Sequence, residues 1–233
     1  MIVLGIETSG EVGSVVLRSA DSVLAERTLP EGGHRARDLV SAIDDVVRAA
    51  GLARADVSAV AVSQGPGAFT GLRVGVTCAK TLAYALGWAL VGVPSLEVLV
   101  QNVGEQAARR CRFACPLRDA RRRRVYGTAF EWDGAQWRDT TGVLLREPAE
   151  LAGLIPQGAL VFGSGARAYP QEFPSGRFEV GAASMDTGRA EAVAMLGLRL
   201  VRAGVRADPM ALVPLYYRLT EAEEKLPAAD IRR

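Results

Sequence analysis

The sequence predicts an α/β protein with two lobes, each a mixed β-sheet with helical cover. Over the first 104 residues, three β-rich runs precede alternating helix and strand patterns, and the same order begins again at residue 105. The 233 residues are 49% hydrophobic and 23% charged, which supplies enough apolar side chain for a sizeable core. We therefore expect an N-terminal lobe at 1–104 and a C-terminal lobe at 105–233, with the last helix and the tail able to pack back on the first lobe.

The first lobe opens with a predicted antiparallel meander. Its three runs are rich in β-branched residues and are separated by Gly10 and by Asp21-Ser22, which interrupt strands. A helix should follow, because apolar residues recur at helical spacing up to Gly51, which stands where a C-terminal cap belongs. The predicted strands are residues 2–8, 12–18 and 23–29, and the predicted helix is 36–50.

The rest of the first lobe alternates strand and helix. Residues 58–63 are short and apolar in the middle, as a strand covered on both faces would be. The glycine-rich loop QGPGAFTG follows, and Pro94-Ser95 introduces the last helix of the lobe. Between these two points the pattern predicts a helix at 71–86 and a strand at 89–93.

The second lobe repeats this plan in a looser form. A turn at Asp133-Gly134 separates two of three β-rich runs, and helical periodicity returns afterwards. The predicted strands are 112–117, 124–132, 137–145 and 159–162, and the predicted helices are 148–154 and 187–203.

Composition excludes several classes of protein. Cys78, Cys111 and Cys115 are too few and odd in number for a disulfide framework, which predicts reduced thiols. His34 is the only histidine, and this weakens metal-site and Ser/His/Asp chemistry. No apolar run reaches the roughly 18 residues of a membrane span, and the first residues lack the features of an export signal. We expect a cytoplasmic protein without membrane contact.

Positive charge is concentrated in one part of the chain. Between Glu105 and Val125 there are eight arginines and two acidic residues, a local +6 in a chain whose net charge is +2. Clustered guanidinium groups attract phosphates, so this segment could be a nucleic-acid face. A solvated turn in an arginine-rich protein is the alternative. The candidate tRNA contacts are Arg121, Arg122, Arg123 and Arg124.

The predicted helix at 71–86 is apolar on all sides. Only Arg73 and Lys80 are charged, so the helix should be buried all round. Small residues repeat at every fourth position on one stripe, where a second helix could approach closely. That helix is either the preceding one of this chain or one of a partner; in the partner case Ala79→Arg or Ala83→Glu leaves a folded monomer that cannot pair. The candidate partner interface is Gly71, Leu72, Gly75, Val76, Ala79, Leu82, Ala83 and Leu86.

Two short segments are candidates for binding a nucleotide. Glu7, Thr8 and Ser9 follow the first strand with a carboxylate and hydroxyls, groups that can hold a metal-bound phosphate. Gly163 and Gly165 form a short loop after a strand of the second lobe. A surface turn explains the first segment better when it is taken alone. The corresponding turn of the second lobe has four adjacent arginines and no glycine to admit a phosphate, which argues against a working ATP site.

Six stretches form a recognisable series: IETSG at 6–10, QGPGAFTGLRVGVTCAKTLAYAL at 64–86, VPSLE at 93–97, RDARRRRVY at 118–126, GSGA at 163–166 and LVPLYYR at 212–218. In this order they resemble the bacterial TsaB (YeaZ) family. The resemblance covers nearly the whole chain, and GPGAFTGLRVG is its most specific element.

This resemblance implies a two-lobed fold of the sugar-kinase and actin type. It also implies a noncatalytic partner of the enzyme TsaD, which transfers a threonylcarbamoyl group to N6 of the adenosine next to the tRNA anticodon. TsaE is the implied third component, tRNA is met through the complex, and the chain alone is expected to form a homodimer. No cofactor of the chain's own is implied, although ATP or ADP could lie at a partner interface.

The family's catalytic member, TsaD, holds its metal with two histidines spaced HxxxH, shortly after the stretch that corresponds to Val93-Pro94. Here those places fall within 95–99, which contains no imidazole, so we assign no catalytic or metal-ligating residue. Two other functions are considered. A peptidase-type hydrolase is suggested by older glycoprotease naming. With His34 as the only imidazole, it would need a serine or threonine activated by Lys80, Lys225 or a carboxylate. A degenerate ATP-binding, kinase-like protein would need a nucleotide cleft that the arginine run spoils.

Overall fold

The computed structural model describes residues 1–30 and 35–217, and its first lobe is built on a five-stranded mixed sheet. The strands are β1 (Val3–Glu7), β2 (Ser14–Arg18), β3 (Val23–Thr28), β4 (Ala59–Gly65) and β5 (Ala89–Pro94). They lie in the order β3-β2-β1-β4-β5. The first three form the predicted antiparallel meander, and β4 and β5 run parallel to β1.

The second lobe is built on a seven-stranded sheet. Its strands are β6 (Phe113–Asp119), β7 (Val125–Gly127), β8 (Phe130–Trp132), β9 (Trp137–Asp139), β10 (Leu144–Arg146), β11 (Leu160–Phe162) and β12 (Glu179–Val180). The path is β10-β7-β6-β11-β12, and β8 joins it by pairing with both β6 and β9. The long strand β6 is therefore the centre of the lobe, with β7 and β8 antiparallel to it and β11 parallel.

The strand predicted at 124–132 is two strands, and Pro116 explains the break. Gly127 pairs with Leu117 and Phe130 pairs with Ala114, so β7 and β8 keep one register along β6. Pro116 lies in the interval between these two pairs and has no backbone N–H to donate, so the ladder is interrupted there. The predicted strand 137–145 is likewise divided, into β9 and β10.

Helices cover both sheets. They are α1 (Arg35–Ala49), α2 (Phe69–Leu86), α3 (Ser95–Val100), α4 (Glu105–Arg110), α5 (Pro148–Leu154), α6 (Ser164–Ala168) and α7 (Ala190–Arg202). Helix α2 begins two residues earlier than predicted, because the amide of Leu72 already donates to the carbonyl of Ala68 at 2.9 Å. Helix α7 begins three residues later than predicted, where the amide of Ala190 donates to Ser14 Oγ at 3.0 Å.

The first sheet has a different helical layer on each face. Leu4 and Val60 belong to a cluster with residues of α1 and α2, whereas their neighbours Val3 and Ala61 pack with residues of α7. This alternation follows from the period of two along a strand. Because both faces are covered, β4 is buried along nearly its whole length, as its apolar sequence predicts. The lobe boundary proposed at residue 104 stays a prediction.

The three cysteines are free thiols, as predicted. Burial raises the pKa of Cys78 and Cys111 to about 11 and that of Cys115 to about 12. All three are therefore protonated at neutral pH and act as packing residues. Within the two described ranges, no helix combines the length and apolar character needed to cross a bilayer.

Candidate functional site

Glu7, Thr8 and Ser9 form the turn that ends β1, and all three are completely buried. This placement excludes the surface-turn alternative. Glu7 Oε1 accepts hydrogen bonds from the Ser9 amide at 2.6 Å and from Ser9 Oγ at 2.5 Å. The turn is thus closed on itself by its own carboxylate.

An arginine of the second lobe occupies the space in front of this turn. Arg118, near the end of β6, donates from Nη1 to the Ser9 carbonyl and from Nη2 to Ser9 Oγ, both at 2.8 Å. Burial lowers the pKa of Arg118, and the charge of Glu7 opposes that effect. The guanidinium therefore links the two lobes and places a positive charge against the residues predicted to receive a phosphate.

Helix α2 and the loop before it close the other side of the turn. The amide of Ala68 donates to the Ser9 carbonyl at 2.8 Å. A Cβ atom on Gly67 would stand 2.4 Å from that carbonyl oxygen, and one on Gly75 would stand 2.1 Å from Thr8 Oγ1. These two glycines of GPGAFTGLRVG therefore allow close packing of α2 and its preceding loop against the β1 turn.

The turn's polar groups are only partly satisfied. Three of its buried side-chain atoms have no hydrogen-bond partner among the described residues: Glu7 Oε2, Thr8 Oγ1 and Arg118 Nε. Such atoms carry a desolvation cost, so the neighbouring bonds of Arg118 must offset it.

Gly163 and Gly165 lie on the second-lobe side, beside β6. A Cβ atom on Gly163 would stand 2.2 Å from the Leu117 carbonyl oxygen, and one on Gly165 would stand 2.7 Å from Val125 Cγ1. Both glycines are packed against their own sheet. The five residues predicted to bind nucleotide therefore lie in the same region as Arg118, but each already has protein atoms in front of it, which corrects that expectation.

The four consecutive arginines form a tight exposed turn after β6. Arg121, Arg122 and Arg123 have φ values of 62°, 50° and 54°, in the left-handed region that L residues rarely adopt. Asp119 Oδ1 accepts from the Arg121 amide at 2.9 Å, and its Oδ2 lies 3.5 Å from the Arg121 guanidinium. Arg121 thus has an acidic neighbour, as the solvated-turn alternative expects, while all four side chains remain exposed.

The small-residue stripe of α2 is buried inside this chain, and the partner-interface prediction is corrected accordingly. The preceding helix α1, with Leu39, Ile43 and Val46, joins the same core cluster as Ala79 and Ala83. Only two members of the predicted set reach the surface, Leu82 in part and Leu86 at 38% exposure. The residues of the set that are buried are Gly71, Leu72, Gly75, Val76, Ala79 and Ala83.

A different stripe of α2 faces outward. It consists of the exposed residues Thr70, Arg73, Thr77, Thr81 and Tyr84, which recur at three- and four-residue intervals, and we call it the outer α2 stripe. Its only charged group, Arg73, donates to the Tyr216 hydroxyl at 3.0 Å. The charge is therefore engaged within the chain, and the rest of the stripe is neutral.

His34, the single histidine of the chain, lies outside the described residues. Within the part of the chain that is described, no three His, Cys, Asp or Glu side chains are grouped so as to hold a metal ion.

Comparison with known proteins identifies the family. The family profile described as "TsaD: tRNA N6-adenosine threonylcarbamoyltransferase" matches residues 28–203. The "tRNA threonylcarbamoyladenosine biosynthesis protein TsaB" of Bacillus subtilis is 30% identical over 232 residues, which cover 97% of each chain. The chain belongs to the TsaB (YeaZ) family.

Solved structures confirm the predicted fold of this TsaB-family chain. YeaZ from Pseudomonas aeruginosa is 25% identical, with a TM-score of 0.79 over 92% of this chain and 99% of that one. An inorganic polyphosphate/ATP-glucomannokinase from Arthrobacter is 12% identical, with a TM-score of 0.51 over 86% of this chain and 99% of that one. The second likeness concerns the fold alone, which is the sugar-kinase and actin type.

Arg118 is the site residue of this TsaB-family chain that sequence reasoning missed. It was counted only within the basic segment, although it stands apart from the run at 121–124 and follows the apolar residues ACPL of a predicted strand. A charged residue directly after such an apolar run can continue the strand, and if it is buried there it needs a specific partner. That signal would have marked Arg118, although it would not have named Ser9.

The left-handed arginines predict an unusual response to glycine. Arg123→Gly is expected to leave the free energy of unfolding unchanged or to raise it by up to about 1 kcal/mol, because glycine adopts a positive φ without steric cost. Arg124→Gly, at an exposed neighbour outside the left-handed run, is expected to lower it by about 0.5–1 kcal/mol. Urea denaturation of both variants provides the measurement, and equal destabilisation by the two would contradict the strained turn.

Proposed function

We propose that this chain is a noncatalytic subunit in tRNA threonylcarbamoyladenosine biosynthesis. In this proposal it pairs with a TsaD and supports transfer of the threonylcarbamoyl group to N6 of the adenosine next to the anticodon. TsaE is the third component, and tRNA is met through the complex. The names of the TsaB relatives support the biosynthetic role, and the resemblance to their family supports the pairing and the further components.

The observation that carries the noncatalytic assignment is the position of Arg118. In a fold of the sugar-kinase type, the turn after the first strand is where a phosphate would approach, and here that turn already receives the guanidinium of Arg118. The whole chain also contains a single histidine, so the paired imidazoles of the TsaD metal site have no counterpart. Both observations favour a scaffold over a kinase-like enzyme or a hydrolase.

A titration distinguishes the scaffold from the kinase-like alternative. Calorimetry of the chain alone with ATP and Mg²⁺ is expected to show no binding at millimolar nucleotide, while a mixture with TsaD is expected to elute as a heterodimer in size exclusion with light scattering. Tight binding of ATP by the chain alone, together with no complex formation, would overturn the proposal.

The surface that supports pairing is the outer α2 stripe. It is neutral apart from the engaged Arg73, and Tyr84 at its end is 76% exposed. Interface hot spots are enriched in tyrosine and arginine, so Tyr84 and Arg73 are the members of this stripe that favour a helix-docking surface. We propose the same surface for the homodimer that the chain forms when alone.

Tyr84→Asp is expected to weaken the heterodimer by about tenfold or more, because it replaces a large contact side chain with a charge that would be buried without a partner. The fold should be unaffected, since Tyr84 is exposed. The matched control is Leu154→Asp, which changes another exposed apolar side chain, 58% accessible, on α5 of the second lobe. Light scattering at several concentrations measures both, and a loss of pairing in the control alone would place the interface elsewhere.

The exposed arginine turn is proposed as a tRNA phosphate contact of the assembled complex. Replacing Arg123 and Arg124 together by glutamine is expected to weaken tRNA binding. The slope of log K against log salt should fall in magnitude by about one to two, because the variant neutralises fewer phosphates and binding therefore releases fewer counterions. The matched control is the double replacement of Arg27 and Arg202, which are exposed on the first sheet and on α7. Labelled tRNA titrated at two salt concentrations gives the answer, and curves parallel to those of the parent would support a solvated turn.

A further inference from the structure

A cavity lies between α3, α7 and the β8–β9 hairpin. Its volume is about 220 Å³, and its wall includes Glu97, Gln101, Phe130, Trp137, Asp139 and Leu200. One water molecule takes roughly 30 Å³ in the liquid, so the cavity has room for a small organic molecule. It is distinct from the Arg118 site, which is formed by the β1 turn and the end of β6.

Glu97 and Asp139 are the two carboxylates of this wall, which also contains the guanidinium of Arg199. Neither Glu97 nor Asp139 forms an ion pair with any described lysine or arginine, including Arg199, which lines the same cavity. Arg199 instead approaches Met195 Sδ at 4.0 Å. Burial raises the pKa of Glu97, and the charge of Asp139 raises it further, so the two carboxylates are close enough to repel each other.

The nearby polar groups leave these carboxylates available. Asp139 Oδ1 accepts from the Thr141 amide at 3.0 Å and from the Gly142 amide at 2.7 Å, which fixes the side chain at the end of β9. Burial raises the pKa of the Tyr217 hydroxyl, and the charges of Asp139 and Glu97 raise it further, so this phenol lies near both carboxylates and stays protonated. A protonated phenol can donate a hydrogen bond but supplies no positive charge.

The remaining wall combines apolar and aromatic side chains with the polar side chains of Gln101, Gln136 and Arg199. Phe130 and Trp137 contribute rings, and Val100, Leu196 and Leu200 contribute aliphatic surface. Aromatic rings attract cations electrostatically, and aliphatic walls favour a short hydrocarbon stem. Two carboxylates against the single guanidinium of Arg199 leave this wall with an excess of negative charge, so it suits a positively charged group carried on an apolar chain.

We propose that this cavity binds an organic ammonium or guanidinium cation, held between Glu97 and Asp139 with its stem against Phe130, Trp137 and Leu200. The cation is either a free small amine or the lysine or arginine side chain of a partner protein. Both sources present the same chemistry to the cavity.

Calorimetry of the full chain with butylamine, agmatine and 1-butanol tests the chemistry. The two cations are expected to bind at least about tenfold more tightly than the alcohol, which has the stem but no charge. Glu97→Gln and Asp139→Asn are each expected to weaken cation binding by about tenfold and to leave the alcohol unaffected. The asparagine retains an acceptor for the two amides, so the turn after β9 is kept.

The matched control is Glu150→Gln, an exposed carboxylate on α5 outside the cavity. It should bind the cations as the parent does. Equal binding of cation and alcohol, an equal loss in this control, or no binding of either cation would overturn the proposal.

A second pair of probes separates the two sources. Nα-acetyl-lysine amide and Nα-acetyl-arginine amide carry the backbone atoms that a partner's side chain would bring. Binding of these as tight as that of butylamine and agmatine supports a partner's side chain, and weaker binding supports a free amine.

Discussion

Ala79→Arg is expected to unfold the protein, or to lower its free energy of unfolding by about 4 kcal/mol or more. Ala79 lies on α2 and is completely buried against α1 and the first sheet, in a cluster with Leu39, Val46 and Val60. An arginine there must displace packed side chains and leave a charge without a partner. Domains are typically stable by only about 5–15 kcal/mol, so one such change consumes a large part of the total. Circular dichroism with urea denaturation measures the loss.

Thr77→Arg is the matched control, because it introduces the same side chain two residues earlier on the exposed side of α2. Its free energy of unfolding should remain within about 0.5 kcal/mol of the parent. A folded Ala79→Arg monomer with native stability that fails to pair with TsaD would restore the buried stripe as the partner surface.

Arg118→Ala is expected to lower the free energy of unfolding by about 3–5 kcal/mol. The change removes two hydrogen bonds of 2.8 Å to Ser9 and leaves the buried carboxylate of Glu7 without the nearby positive charge. It also removes a direct link between the two lobes. Urea denaturation provides the measurement, and separate transitions for the two lobes would show that Arg118 couples them.

Arg112→Ala is the matched control for this change. Arg112 lies just before β6 and pairs with Glu131 at 2.6 Å, but its side chain is 75% exposed. An exposed pair contributes about 0–1 kcal/mol, so the control should lose far less than Arg118→Ala. Adding Glu7→Gln to Arg118→Ala should recover part of the loss, because it removes the uncompensated charge. Equal losses in the Arg112 and Arg118 variants would show that the buried guanidinium has no special role.

Most elements of the fold could be predicted from the sequence because their signals are local. The apolar middle of β4 and the helical spacing that ends at Gly51 each depend on residues within one element. The division of the strand predicted at 124–132 could not be read from that segment, because its cause is Pro116 on the neighbouring strand. Periodicity likewise indicated α7 but could not say which sheet it covers.

The candidate site was harder to predict because its contacts join distant parts of the chain. A stripe of small residues looks the same whether the helix that fills it belongs to this chain or to another, so Ala79 and Ala83 could not be assigned. Arg118 and Ser9 are 109 residues apart in sequence, and neither residue type identifies the other. Gly67 and Gly75 admit the backbone and hydroxyl of the β1 turn, a close approach that the spacing of the glycines does not reveal.

The position of α7 has a consequence for how the protein is made. Strands β1 to β5 are all synthesised before residue 95. The helix that covers one face of their sheet, α7, is synthesised only with residues 190–202. During that interval Val3, Val16, Ala59 and Ala61 have no native cover, and an uncovered apolar sheet face invites association with other nascent chains. Because synthesis runs from the N-terminus to the C-terminus, the first lobe cannot finish folding before the second lobe has been made. The first lobe should therefore acquire its native resistance to proteases only after α7 has emerged from the ribosome.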